Sequence, residues 1–217
     1  MRHYIRSNAI RQSFKLRADE YLREYLECLI ASEQPYLASD LDVKIPDWNT
    51  ENLLQACRFF TSVLKGEMPT AILGFYPGFE ERFGRAWGLA HDAMKSSFLC
   101  YLDVDPIVDY EEAPWDMIPI KRHYIWDLYE RWDYKDRGDI LLKDYLENLI
   151  LSEQPYVVRN LVLKNPDKET ENLLQLCKFF TSVLKGKMPT EDVRFDKEFY
   201  EKYWRLSDLV DEVNAGA

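Results

Sequence analysis

The chain contains one stretch of itself twice, at a spacing of 120 residues. The run 25–70 returns as 145–190 without a gap, and 32 of its 46 positions are identical. The same register pairs Arg2, His3, Tyr4 and Ile5 with Arg122, His123, Tyr124 and Ile125, and Phe75 and Phe79 with Phe195 and Phe199. A chain of this kind must place two related cores in one molecule, and a duplicated homodimer keeps its interface when the copies are fused. The pattern therefore predicts a tandem duplication of a unit of about 100 residues, an ordinary domain size, with the copies related by an approximate two-fold. The expected division is a first unit over 1–97, an acidic connector over 98–120 and a second unit over 121–217.

Periodicity makes each unit all-α, with three or four helices. Leu22, Tyr25, Leu26, Leu29 and Ile30 recur at helical spacing, as do Leu142, Tyr145, Leu146, Leu149 and Ile150. Pro35 and Pro155 should end these helices, because the residue before a proline is pushed out of the α region. A second helix opens near Asp47 or Thr50, and near Asp167 or Thr170, where either side chain can cap free N–H groups. It carries Leu53, Leu54, Cys57, Phe60 and Leu64 on one stripe and stops at Gly66, with Gly186 as the counterpart. A third helix is expected after Pro77 and Gly78, with its counterpart near the C-terminus. A separate earlier helix is expected within 2–15 and within 122–134. Val157 to Leu163 has enough β-branched character to leave room for a short strand.

Net charge is −10 and unevenly placed. Residues 1–24 hold six basic and three acidic side chains, whereas 98–120 holds six acids and no base. Such a chain is a poor ligand for nucleic-acid phosphates and a better match for a basic protein surface. The connector contains Pro106, Pro114 and Pro119 among acids and aromatics, which reads as an extended strap between units. Cys28, Cys57, Cys100 and Cys177 are scattered without metal-binding spacing, as expected in a reducing compartment. The first 27 residues carry charges throughout and no apolar leader core. No stretch reaches the ~20 apolar residues of a membrane span. A cytoplasmic location is the expectation.

No catalytic motif emerges. His3, His91 and His123 belong to no metal-binding pattern, and nucleophile elbows, phosphate loops and dinucleotide glycines are missing from the sequence. The expectation is a non-enzymatic protein with no metal and no cofactor. The most polar part of the shared block is Ser32 to Tyr36, repeated as Ser152 to Tyr156. Glu33 and Glu153 lie at helix C-termini, where a carboxylate opposes the macrodipole and needs a cation. Arg2 and His3, with Arg122 and His123, are the candidates. With Tyr36 and Tyr156 they define either a packing clasp or a polar pocket in each unit.

For partner binding, Trp48 is the best aromatic anchor, since it starts a helix and its counterpart is Lys168. Trp115 joins it from the connector, whose Asp103, Asp105, Asp109, Glu111 and Glu112 would steer a basic partner. The leading expectation is an acidic cytosolic protein that binds another macromolecule and inhibits or neutralises it, in the manner of immunity proteins or phage-encoded inhibitors. A small-molecule sensor or enzyme with a polar pocket in each repeat, and a structural subunit of a larger assembly, are the alternatives.

Overall fold

The structure, a computed structural model, describes residues 4–38, 41–65, 74–101, 127–158, 160–187 and 195–215. These residues form eight α-helices and two 3-10 turns, and no strand occurs among them. In chain order the helices are α1 (Asn8–Ala31), α2 (Trp48–Leu64), α3 (Phe79–Arg82), α4 (Gly84–Tyr101), α5 (Leu128–Leu151), α6 (Lys168–Leu184), α7 (Lys197–Lys202) and α8 (Trp204–Ala215). The 3-10 turns cover Pro35–Ala38 and Pro155–Val158. The second of these occupies part of the segment where a strand had room, and it opens at Pro155 straight after the turn that ends α5.

The bounds of α1 and α5, of the two 3-10 turns, and of α2 and α6 all differ by the 120-residue offset. Two local expectations are corrected. The separate early helix and the Leu22-to-Ile30 helix are one continuous α1 of 24 residues, and α5 likewise. Nothing between Asn8 and Ala31 breaks the ladder, because no proline or glycine falls there. The expected third helix is two helices, interrupted at Phe83 (φ −125°, ψ 45°) and again at Tyr203 (φ −113°, ψ 44°). The break buries Phe83 against Phe79, with ring centroids 5.1 Å apart, and Tyr203 against Phe199 at 4.7 Å. A continuous helix would point these rings elsewhere, so ring burial outweighs one turn of regular hydrogen bonding.

Compactness follows a different division from the halves 1–97 and 121–217. One unit, here called terminal, comprises Met1–Leu22, Asp40–Lys44 and Asp139–Ala217; the other, central, comprises Arg23–Ser39 and Ile45–Gly138. The division falls inside α1 and inside α5. Each unit therefore takes the first part of one long helix from one copy and nearly all the rest from the other. In the terminal unit, Phe14, Ala18 and Leu22 of α1 are buried in the same unit as Leu142, Tyr145, Leu146, Leu173, Leu176, Phe180, Phe199 and Leu206. In the central unit, Gly138 of α5 closes on Cys28, where an added Cβ would stand 3.4 Å from the Cys28 Cβ. Tyr25, Leu26, Leu53, Cys57, Phe60 and Phe79 complete that core.

The helix ends obey local chemistry. The Asp47 carboxylate accepts the Thr50 N–H at 2.8 Å, and the Asp167 carboxylate accepts the Thr170 N–H at 2.8 Å, so aspartate is the cap and threonine lies inside the first turn. Gly186 adopts φ +70° and closes α6, its N–H and that of Lys187 donating to the Val183 and Ser182 carbonyls. Gly66 lies outside the described residues. Cys28, Cys57 and Cys177 are buried free thiols, with burial raising the pKa of each and taking Cys28 up to about 11. They act as small apolar groups and are poor nucleophiles. No helix among the described residues is long and apolar enough to cross a membrane.

Candidate functional site

Helix α1 ends in an irregular way that builds the first site. The Glu33 N–H donates to the Ile30 carbonyl and the Gln34 N–H to the Leu29 carbonyl, closing a Schellman turn. Glu33 thus occupies the left-handed position, φ +59°, which glycine fills at least cost. Glu153 repeats the arrangement after α5, also at φ +59°. A glutamate kept at a left-handed position in both copies has a side-chain reason to be there.

That reason is an arginine supplied by the other copy's long helix. In the central unit, Arg131 Nη1 of α5 donates to Glu33 Oε2 at 2.9 Å; in the terminal unit, Arg11 Nη1 of α1 donates to Glu153 Oε2 at 3.0 Å. Both carboxylates are nearly sealed, with side-chain exposures of 9% and 7%. The Ile5 N–H adds a second donor, to Glu153 Oε1 at 3.0 Å. Tyr4, beside it, packs edge-on against Phe180 at 5.7 Å. The clasp thus has the residue type that the sequence demanded, and Arg11 and Arg131 supply it. Arg2, His3, Arg122 and His123 lie outside the described residues. The one sequence signal for Arg11 and Arg131 is that they are themselves repeat equivalents.

Around the terminal clasp lies a groove of about 440 Å³. Asn8, Arg11, Gln12 and Lys15 come from one face of α1, at helical spacing. Glu153, Gln154 and Tyr156 form the opposite wall, and Lys185 stands at the end of α6. Lys15 pairs with Asp19 at 2.8 Å, and the Lys44 ammonium sits 5.4 Å over the Tyr156 ring. A second cleft of about 260 Å³, bounded by Pro155, Val158, Leu161, Leu174 and Cys177, shares Thr181 with the groove. The central unit repeats Arg131, Lys135, Glu33, Gln34, Tyr36 and Lys65 at the matching positions but carries Leu128 and Trp132 for Asn8 and Gln12. Both are exposed, at 52% and 58%.

The second site surrounds Trp48. Trp48 is 62% exposed, and its ring packs on Tyr76 with centroids 4.5 Å apart. Three residues earlier, Ile45 is 97% exposed and sits at φ +56°, a left-handed conformation that β-branched residues avoid. The matching positions in the terminal unit are Asn165, also at φ +56°, Lys168 and Asp196. There Lys168 Nζ donates to Asp196 Oδ2 at 2.7 Å. One unit thus holds an ion pair where the other displays an apolar group and two rings.

The other residues expected to bind, Asp103, Asp105, Asp109, Glu111, Glu112 and Trp115, lie outside the described residues. Among the described residues no cluster of histidine, cysteine or carboxylates is arranged to hold a metal ion. His91 stacks on Trp87 at 5.1 Å. No family model, curated protein or solved structure matches the chain, so its function must be argued from its own residues.

Proposed function

We propose that this chain is a duplicated, non-enzymatic binding protein that docks on another protein through the central unit's Ile45, Trp48 and Tyr76, and so inhibits or neutralises that partner. The observation that carries the reading is the exposed Trp48–Tyr76 pair, set where the other copy has the Lys168–Asp196 ion pair. If the only task at this point were to tie the start of α2 to the segment before α3, an ion pair would do it with less apolar exposure. Rigid aromatic rings give large contact area at low conformational cost, which is why they dominate binding hot spots. Ile45 adds to the case. Holding a β-branched residue in a left-handed conformation costs roughly 1–2 kcal/mol, and a fully exposed side chain recovers none of it within the fold.

The partner has a basic surface on this reading. The net charge of −10 and the acids Asp103, Asp105, Asp109, Glu111 and Glu112 would accelerate its approach, with the rings holding it afterwards. The recurrence supports this division of labour, since one half can keep a polar surface while the other presents an apolar one.

The test is capture from the native lysate by the tagged chain, at low and moderate salt, with Trp48→Ala and Lys168→Ala run beside the parent. One stoichiometric basic protein should be held by the parent and by Lys168→Ala, lost by a folded Trp48→Ala, and released as salt rises. Equal capture by Trp48→Ala would remove the aromatic face from the interface.

A further inference from the structure

We propose that the terminal-unit groove binds a small oxyanion, a phosphate or carboxylate group, and that the chain holds one such site and not two. This site is separate from the aromatic face and does not depend on it.

The argument begins with what the groove's one carboxylate is already doing. Glu153 has its oxygens engaged by the Arg11 guanidinium and the Ile5 N–H, and its side chain is nearly sealed. Its charge is thereby cancelled by Arg11. What remains facing the opening is positive. Lys185 is exposed, and no carboxylate among the described residues pairs with it, while Lys15 leans on Asp19 from the opposite wall. Lys44 stands over Tyr156 at the rim. A concave positive spot on a chain of net charge −10 runs against the overall field, and a groove with low-dielectric walls concentrates that local potential.

The neutral lining is also of the donor kind. Asn8 sets its Oδ1 toward Arg11 Nη2 at 3.5 Å, which leaves its amide N–H groups for other acceptors, and Gln12 stands one turn further along the same face of α1. The Thr181 hydroxyl donates to the Cys177 carbonyl and the Ser152 hydroxyl to the Leu149 carbonyl, so neither proton is available to an oxyanion and the lysines and carboxamides are the donors left for it. Lysine ammonium and carboxamide N–H groups converging on one opening are the pattern that recognises phosphate or carboxylate oxygens.

The matching positions of the central unit act as an internal control. Its cations are retained as Arg131, Lys135 and Lys65, but the two carboxamides are replaced by Leu128 and Trp132. Leucine offers no donor and tryptophan a single indole N–H, against the two N–H groups of each carboxamide, and both bulky groups displace the water that a half-solvated anion needs. The cations, Gln34 and Tyr36 are common to both units; only the terminal unit adds the Asn8 and Gln12 carboxamides to them.

The experiment is calorimetric titration of the full chain with inorganic phosphate and, separately, acetate, at fixed ionic strength, with backbone amide shifts of Arg11, Gln154 and Lys185 followed by NMR. The expected result is saturable binding of at least one of the two at one site per chain, with shifts at those amides. Which of the two binds identifies the oxyanion. Lys185→Gln should weaken binding about tenfold, the effect of one charge-assisted hydrogen bond, and Lys197→Gln, the same charge change at an exposed lysine of α7, should not. The pair Leu128→Asn and Trp132→Gln should raise the stoichiometry to two. Non-saturable responses, or a Lys185→Gln chain that binds like the parent, would overturn the site. Two sites in the parent chain would overturn the role given to Asn8 and Gln12.

Discussion

The central and terminal units are most alike where they are buried and least alike where they are exposed. Both keep a left-handed glutamate clasped by an arginine from the other copy's helix. Both stack two phenylalanines ahead of a broken helix, Phe75 on Phe79 at 4.6 Å and Phe195 on Phe199 at 4.4 Å. Yet Ile45, Trp48 and Tyr76 of one unit face solvent where the other has Asn165, Lys168 and Asp196. The lesson is that a sealed charge pair ties several atoms together and resists change in either copy, whereas an exposed contact can be remade with different chemistry. Rings and ions can hold the same two segments; they cannot present the same surface.

The strongest way to break this comparison is through the clasp. Arg11→Met and Arg131→Met should each destabilise the chain by about 3 kcal/mol, because each removes a guanidinium bonded to a nearly sealed carboxylate. Urea unfolding followed by circular dichroism reads the loss, and a cost below about 1 kcal/mol in one variant but not the other would show that the two clasps are not equivalent. Next in size is the backbone at residue 45. Ile45→Asn should stabilise the chain by about 1 kcal/mol and Asn165→Ile should destabilise it by a similar amount, as asparagine tolerates the left-handed region and isoleucine does not. If Ile45→Asn gains nothing, the isoleucine is making a contact worth as much as its strain.

The third test separates rings from ions. Trp48→Ala should cost about 1 kcal/mol at any salt concentration, as an aromatic pair is unscreened. Lys168→Ala should cost less, and its effect should vanish in 1 M salt, where the Debye length falls to about 3 Å. Equal salt dependence of the two would erase the distinction.

The smallest expected effects are those of pH, and they run in opposite directions. Desolvation, only partly offset by Arg137, raises the pKa of Glu27, and in the other unit desolvation, partly offset by Arg205 and Arg17, raises that of Glu147. A carboxyl whose folded pKa is raised binds its proton more tightly in the fold, so stability falls as pH climbs through that window. Glu27→Gln and Glu147→Gln should therefore stabilise at neutral pH and lose the advantage below about pH 4, the range of an unperturbed glutamate. The helix caps behave the other way. Burial raises the pKa of Asp47 and of Asp167, but the Thr50 bonds with Arg23, and the Lys143 and Thr170 bonds, outweigh it and hold both carboxyls low. Their contribution is complete above the ordinary aspartate pKa and is lost as pH falls through the lowered folded values. Asp47→Asn should therefore flatten the acid limb of a melting-temperature profile below about pH 4, the ordinary aspartate value.

Much of this was legible in the residues alone. The helical stripes of α1 and α2, the aspartate caps, the glycine stop at Gly186 and the need of Glu33 and Glu153 for a cation are consequences of local chemistry. Trp48 was expected to be exposed because its partner position holds lysine, and it is. The break at Phe83 was missed because helix periodicity alone cannot weigh a ring's burial against a turn of hydrogen bonds. Glu153 and Tyr156 were expected at a clasp or pocket, but the α1 wall of the groove, Asn8 to Lys15, was missed because it lies far from them in the chain.

The sequence by itself determined the all-helical character, the caps and stops and the 120-residue recurrence of elements, since these depend on neighbours within a few residues. Only the tertiary structure decided which residues share a core. The clasp partners stand 98 and 142 residues from their glutamates, and the compact units draw α1 and α5 into two bodies each. Local periodicity tells a helix which face to bury, but both copies offer nearly the same apolar stripe, so it is indifferent to the choice between them. Packing of the whole chain makes that choice, because only there do the burial of Phe14, Ala18 and Leu22 and the pairing of Arg11 with Glu153 occur together.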